Sequence, residues 1–72
     1  MRSRDMTVQK IRESFVPGQR IRLLHMEDQY QPVPDGTEGS VEFVDDAGQI
    51  HMKWDNGRTL ALIPGVDRFE LI

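Results

Sequence analysis

The sequence predicts a small, mainly β fold preceded by a short amphipathic helix, and three observations lead to this prediction. Residues 36–63 contain three short alternating segments, separated by turn signals that end at Gly48 and Gly57. Residues 8, 11 and 15 are apolar and have the spacing of one helical face. The chain has 72 residues, which fits a single domain that buries only about 60% of its unfolded surface.

The turn after Trp54 can be predicted from the alternation of side chains along a strand. A two-residue turn at Asn56 and Gly57 would split the apolar side chains between the two faces of the hairpin. A three-residue loop, Asp55 to Gly57, with Gly57 as a left-handed bulge residue, instead places Trp54 opposite Arg58. In this register Met52 faces Leu60 and Ile50 faces Leu62. We therefore predict the three-residue loop, with Asp55 capping the turn through a local side-chain hydrogen bond.

The turn before Ile50 is predicted by the same reasoning. Gly48 suits a position with positive φ, so a four-residue loop, 45–48, is expected. This loop pairs Phe43 with Ile50 and Val41 with Met52, and it places Gly39 opposite Trp54, where a missing side chain leaves room for the indole ring. The wetter face of the sheet is then expected to carry Ser40, Glu42, His51, Lys53, Thr59 and Ala61.

The N-terminal part divides into a loose arm, residues 1–6, and a short amphipathic helix, residues 7–16. Val8, Ile11 and Phe15 form its apolar stripe, and the stretch around Pro17 ends it. We expect the stripe to cover an open end of the sheet. The alternative is that it docks onto a second copy of the chain or onto a partner.

The remaining elements complete a barrel that spans residues 17–72. Residues 19–25 alternate as a strand with Ile21 and Leu23 facing inward, and residues 26–35 form a long irregular loop with two prolines. After a turn at Pro64 and one helical turn, residues 69–72 alternate as a closing strand. Five strands with a helical turn before the last are the order of a small SH3-like barrel.

Composition excludes several classes of function. There is no cysteine, so neither a disulfide nor a thiolate zinc site can form, which fits a reducing cytoplasm. No apolar run approaches a membrane span. Residues 1–25 carry six basic and two acidic groups, whereas residues 26–72 carry three basic and ten acidic groups. Because phosphate binding needs a concentrated basic surface, nucleic acid is not expected to be the main partner.

No residue pattern indicates catalysis, a cofactor or a metal. His25 or His51 could meet Asp28, Asp45 or Asp46 in space, but their spacing matches no metal-ligand motif. The adjacent carboxylates of Asp45 and Asp46 lie in a predicted turn, where aspartate is favoured for its local hydrogen bonds. We therefore expect a protein that is not an enzyme and that holds neither a cofactor nor a metal.

The candidate binding residues lie on the long loop and on the second turn. Tyr30 is the only tyrosine and stands among polar residues; it either belongs to a binding surface or caps the edge of the core. Near the turn, Trp54, Asp55, Asn56 and Arg58 could bind a peptide, a base or a second copy of the chain. The competing interpretation is that Trp54 is a core residue on which Arg58 stacks. An alternative anion site consists of Arg20, Arg22 and Arg58.

Several motifs resemble a family of short bacterial domains of unknown function that also occur on phages and other mobile elements. The matching stretches are Arg20-Ile21-Arg22-Leu23, Pro32-Val33-Pro34 with Gly36-Thr37 and Gly39, Val44-Asp45-Asp46-Ala47-Gly48-Gln49-Ile50-His51, Trp54-Asp55-Asn56-Gly57 and Leu60-Ala61-Leu62-Ile63-Pro64-Gly65-Val66-Asp67. Asp35 replaces the proline associated with its position. The resemblance implies a free-standing SH3-like barrel from a mobile element, and it carries no established site residues.

Two functions from different classes therefore stand as expectations. The first is a non-catalytic module that recognises a protein partner through the loop around Tyr30 and the turn from Trp54 to Arg58. The alternative is a counter-defence protein, which inhibits a host immune factor or sequesters a nucleotide signal with Arg20, Arg22 or Arg58 on the phosphate.

Overall fold

The computed structural model describes residues 3–72, with side chains from residue 8 onward. One helix, α1 (Ser3–Ser14), precedes four strands: β1 (Arg20–His25), β2 (Glu38–Val44), β3 (Ile50–Trp54) and β4 (Arg68–Leu71). The strands form one antiparallel sheet in the order β3-β2-β1-β4. The predicted mainly β fold with a short N-terminal helix is confirmed at this level, although the sheet does not close on itself.

The core lies on one face of this sheet, because alternate residues of β1, β2 and β3 point towards it. Trp54 is its largest fully buried side chain. Ile11, Phe15 and Phe69 pack against it from the side and are partly buried. The buried apolar residues are Ile21, Leu23, Met26, Val33, Val41, Val44, Ile50, Met52, Trp54 and Leu62.

The turn after β3 has the predicted three-residue loop. The Trp54 amide donates to the Arg58 carbonyl at 2.9 Å, the Gly57 amide donates to the Trp54 carbonyl at 2.9 Å, and Gly57 has a φ of 90°. The predicted cap is wrong, because the Oδ1 atom of Asn56 accepts the Arg58 amide at 2.9 Å. The carboxylate of Asp55 instead reaches across the sheet to Arg20.

The turn before β3 is one residue shorter than predicted. The Asp45 amide donates to the Gln49 carbonyl at 3.0 Å and the Gly48 amide donates to the Asp45 carbonyl at 3.0 Å, which repeats the bonding of the later turn. The loop is therefore 46–48 rather than 45–48. Gly39 pairs with Trp54 and Val41 with Met52, as predicted.

A register shift between Val41 and Phe43 absorbs the missing loop residue, so that Gly39 and Val41 keep their predicted partners. As a result Phe43 pairs with His51, and Val44 takes the predicted place of Phe43 opposite Ile50. The ring of Phe43 lies on the outer face of the sheet and is 50% exposed. The expectation that Phe43 belongs to the core is therefore wrong.

Residues 3–72 contain four of the five predicted strands. The remaining predicted strand, residues 58–63, forms only one bridge. Ile50 and Leu62 exchange backbone hydrogen bonds of 2.9 and 2.8 Å there. The Leu60 carbonyl, which a continued ladder would direct at Met52, accepts the indole N–H of Trp54 at 2.9 Å. This side-chain bond holds the segment beside β3 without a regular ladder.

Helix α1 packs on its own sheet rather than standing apart from it. It begins at Ser3, before the predicted start at Thr7, and ends at Ser14; residues 1 and 2 of the predicted loose arm lie outside the described part of the chain. Ile11 packs against the core, and the Arg12 guanidinium donates to the Val44 carbonyl at 3.4 and 3.3 Å. Between residues 3 and 72, no helix has the length and apolar character needed to cross a membrane.

Candidate binding surface

The long connection between β1 and β2 is fixed at its base by a buried carboxylate. Asp67, which is 6% exposed, accepts the Glu27 amide at 2.8 Å with one oxygen and the Ile63 amide at 2.8 Å with the other. Further along, the Val33 amide donates to the sulfur of Met26 at 3.4 Å, and both side chains are buried. The loop therefore leaves and rejoins the core at defined points.

Between these anchors the loop presents Tyr30 to solvent. Its side chain is 84% exposed, so it does not cap the edge of the core. The Tyr30 amide donates to the Oδ1 atom of Asp28 at 2.9 Å, which makes a local turn of this part of the loop. The Arg58 guanidinium donates to the carbonyl of the next residue, Gln31. The loop and the turn after β3 are thus joined.

These contacts define a surface that we call the loop-turn surface, made of Tyr30, Gln31, Asn56 and Arg58. Of the predicted binding residues, Trp54 does not belong to it, because its side chain is 1% exposed and lies in the core. Asp55 is exposed but bonds to Arg20. Gln31 was not predicted, and only its backbone oxygen takes part, so no side-chain pattern could have indicated it.

A depression of about 400 Å³ lies on the same loop as Tyr30. Glu27 and Asp28 contribute acidic groups to its wall, and His25 lies between Asp35 at 3.3 Å and Glu27 at 3.4 Å. Its lining residues are His25, Met26, Glu27, Asp28, Gln29 and Pro32. Glu27 and Asp28 give this side of the loop an acidic character.

The two arginines of β1 are held by carboxylates on the outer face of the sheet. Arg20 donates to both oxygens of Asp55, at 2.9 and 2.5 Å, and to the hydroxyl of Ser40 at 3.0 Å. The hydrogen bond and the positive charge of Arg20 lower the pKa of Asp55, although partial burial opposes this. The same pairing raises the pKa of Arg20.

Arg22 makes an equivalent set of bonds. It donates to Glu70 at 2.8 Å and to Glu38 at 3.3 and 3.2 Å, and its hydrogen bonds to these two carboxylates, Glu70 first, raise its pKa. Arg58, the third member of the predicted anion site, points instead to Gln31. The structure therefore does not bring the three guanidinium groups together as an empty anion site.

His51 forms a compact unit with the turn before β3. Its Nε2 atom lies 2.8 Å from Asp45, and its ring stacks on Phe43 with centroids 4.3 Å apart and planes 7° from parallel. The pKa of Asp45 is lowered by this hydrogen bond first, and then by the amides of Gln49 and Ala47. In the described part of the chain, no three His, Asp or Glu side chains converge as a metal site.

Asp67 is the structurally important residue that the sequence did not reveal. It was predicted only as part of a helical turn, and a buried aspartate cannot be distinguished from an exposed turn aspartate by its neighbours in the sequence. Its position after a Pro-Gly turn, between two apolar stretches, was the available signal.

Comparison with known protein families gives one result. A family model described as a domain of unknown function, DUF4314, matches residues 4–72. The match covers all four strands and the anchoring aspartate. No curated protein matches the chain.

Proposed function

We propose that the chain, which belongs to the DUF4314 family of domains of unknown function, is a non-catalytic module that binds a protein partner through its loop-turn surface. The observation that carries this proposal is the contact between Arg58 and the Gln31 carbonyl. This contact joins the exposed tyrosine of the long loop to the polar turn after β3. Two parts of the chain that are far apart in sequence then present one surface.

The loop-turn surface has the chemistry of a protein-binding site. Tyrosine offers a large apolar ring and a hydroxyl group at a low cost in conformational entropy, and both tyrosine and arginine are enriched among residues that dominate binding energy. Tyr30 is 84% exposed, which leaves nearly all of its ring available to a partner. Asn56 adds an amide group beside Arg58.

The anchoring of the loop favours binding without a large entropic cost. Asp67 fixes the start of the loop, the sulfur of Met26 holds Val33, and Arg58 holds Gln31 between them. A loop that is ordered before it meets its partner loses less freedom on binding. The acidic wall formed by Glu27 and Asp28 indicates that the complementary surface of the partner is basic.

The proposal extends to the fold, which we describe as an opened SH3-like barrel. The Ile50–Leu62 bridge places residues 58–62 beside the outer edge of β3. The spatial order is then residues 58–62, β3, β2, β1 and β4. Consecutive strands are neighbours in this order, and the last strand lies beside the first, which supports the barrel interpretation. Loops on such small barrels commonly carry the binding surface.

Partner capture with matched variants tests the function. Immobilised wild-type protein is compared with Tyr30→Ala and Arg58→Ala, and with Lys53→Ala as a control that removes an exposed cation from β3. We expect both loop-turn variants to lose a partner that the wild type and the control retain. The fluorescence of Trp54, buried in the wild type, checks that each variant is folded.

Two results would contradict the proposal. The first is an unchanged captured partner for Tyr30→Ala and Arg58→Ala. The second is a thermal shift with a cyclic nucleotide that is lost in Arg20→Ala, because this would show that a nucleotide displaces Asp55 from Arg20. The second result would support the sequestering form of the counter-defence alternative, for which the paired arginines provide no open site.

A further inference from the structure

The outer edge of β4 is the more open of the two ends of the sheet. In residues 3–72, β4 pairs with β1 and with no other strand. At the opposite end, the edge of β3 is partly covered by residues 58–62 through the bridge at Leu62. An uncovered edge presents backbone donors and acceptors that can pair with another strand.

The register of β4 identifies which backbone groups face outward. Ile72 donates its amide to the Arg20 carbonyl at 3.2 Å, and Glu70 pairs with Arg22. Because successive residues of an antiparallel strand direct their backbone groups to opposite sides, Phe69 and Leu71 face away from β1. Asp67 precedes them in the same alternation, but its amide already donates to the Ile63 carbonyl at 2.9 Å. The free edge therefore consists of Phe69 and Leu71.

The side chains along this edge have an unusual distribution of charge. Arg68 and Glu70 point to the outer face of the sheet, since they alternate with Phe69, which packs against the core. Within the described residues, Arg68 has no carboxylate within salt-bridge distance, whereas Glu70 lies 2.8 Å from Arg22. Leu71 is 50% exposed and Ile72 is 46% exposed. A cation with no carboxylate partner among the described residues, a carboxylate and exposed apolar groups thus occupy one short edge.

We infer that this edge binds a second copy of the chain, by antiparallel pairing of β4 with β4 about a two-fold axis at Phe69. In this register, Arg68 of each copy lies opposite Glu70 of the other, so Arg68, which has no carboxylate partner among the described side chains, gains one. Each Phe69 amide donates to the Phe69 carbonyl of the other copy. The interface is self-complementary, as a two-fold interface must be.

The charges select this register over its neighbour. If the axis passed through Glu70, two carboxylates would lie directly opposite each other, which is unfavourable for a cross-strand pair. An edge with charges of one sign would repel a second copy. Because Arg68 and Glu70 are two residues apart and opposite in charge, antiparallel pairing places the cation of each copy opposite the anion of the other. The interface contains only a few residues from each chain, so the dimer is expected to be weak and dependent on concentration.

Sedimentation equilibrium over a wide range of protein concentration tests this inference. The apparent mass is expected to rise from 8.3 kDa towards twice that value. Arg68→Glu should weaken association by about tenfold or more, because both cross-strand attractions become repulsions. Glu70→Gln, which can still accept a hydrogen bond from Arg22, should weaken it less. Lys53→Glu makes the same charge change on β3 and should leave it unchanged.

Amide hydrogen exchange distinguishes pairing at this edge from other modes of association. The Phe69 amide should become more protected as protein concentration rises, whereas the Glu70 amide, which already faces β1 through its pairing with Arg22, should not change. A mass that stays at 8.3 kDa at every concentration would overturn the inference. So would an equal effect of Lys53→Glu and Arg68→Glu, or a dimer in which the Phe69 amide stays unprotected.

Discussion

Gly39→Ala tests a close approach between the backbones of β2 and β3. Gly39 lies in β2 directly opposite Trp54 in β3. A Cβ atom at this position would lie 2.8 Å from the Lys53 carbonyl oxygen, 2.8 Å from Cε3 of Trp54 and 2.9 Å from Cα of Trp54. Two of these three atoms belong to the backbone, so a change of rotamer cannot remove the overlap. The two strands must separate, and the buried indole must move.

The expected cost follows from that geometry. Inserting a methyl group into a packed core typically costs about 1–3 kcal/mol, and a clash with backbone belongs at the upper end of that range. The better strand propensity of alanine offsets only about 0.5–1 kcal/mol. A domain of this length has a free energy of unfolding of about 4–10 kcal/mol, so a net loss of about 2 kcal/mol is a large fraction of it. The corresponding decrease in Tm is about 8–16 °C.

Urea denaturation followed by far-UV circular dichroism measures this loss. Gly36→Ala is the matched control, because Gly36 has a φ of 88° and no atom within 4 Å of its Cβ position. That variant should lose only about 1–2 kcal/mol, from the left-handed backbone alone. In addition, the Trp54 emission should change in the folded state of Gly39→Ala and not of Gly36→Ala. An unchanged emission together with a smaller loss of stability for Gly39→Ala would refute the argument.

Three further predictions concern contacts that hold the fold together. Asp67→Ala should lower the free energy of unfolding by about 2–4 kcal/mol, because two backbone amides lose their buried acceptor, and Asp67→Asn should cost less in the same urea titration. The pKa of Asp45 is lowered from its ordinary value of 3.8 in the folded protein, first by the hydrogen bond with His51. The contribution of the Asp45 carboxylate to stability is therefore present above pH 3.8 and is lost as the pH falls through the lower pKa of the folded protein. When urea midpoints are measured against pH, Asp45→Asn should show a smaller decrease at acidic pH than the wild type. Arg12→Ala should increase amide exchange in α1, since it removes the bonds to Val44 and Asp46, whereas Lys10→Ala, on an exposed position of the same helix, should not.

The hairpin around Gly57 could be predicted from sequence because only one loop length kept the apolar residues on one face. The hairpin around Gly48 was predicted with a wrong loop length, although Gly39 and Val41 pair as expected. A register shift between Val41 and Phe43 absorbs the difference of one residue. Parity reasoning assumes a regular strand, so it assigned Phe43 to the core. The position of a bulge depends on packing from both faces, which local sequence does not contain.

Two other predictions, the cap of the turn after β3 and the strand at residues 58–63, are wrong because side chains and backbone groups compete for the same hydrogen-bond partners. Asp55 and Asn56 are both suited to capping a turn through a local side-chain hydrogen bond, and the sequence analysis predicts Asp55 in this role. Arg20, thirty-five residues away in sequence, supplies Asp55 with a stronger charged partner, and Asn56 takes the local bond. Similarly, the indole N–H of Trp54 donates to the Leu60 carbonyl, which a regular strand at residues 58–63 would bond to β3. Long-range partners of this kind cannot be inferred from alternation.

The arginines show how the same competition bears on function. From sequence, Arg20 and Arg22 on one strand face suggested an anion site, because alternation places them side by side. The sheet, however, brings Asp55 to Arg20 and Glu70 to Arg22, and charge-assisted pairs with good geometry must be broken before an external anion can bind. Arg68 has no such carboxylate partner among the described residues. Of these three arginines, the one at the open edge of the sheet therefore has the most to gain from a second molecule.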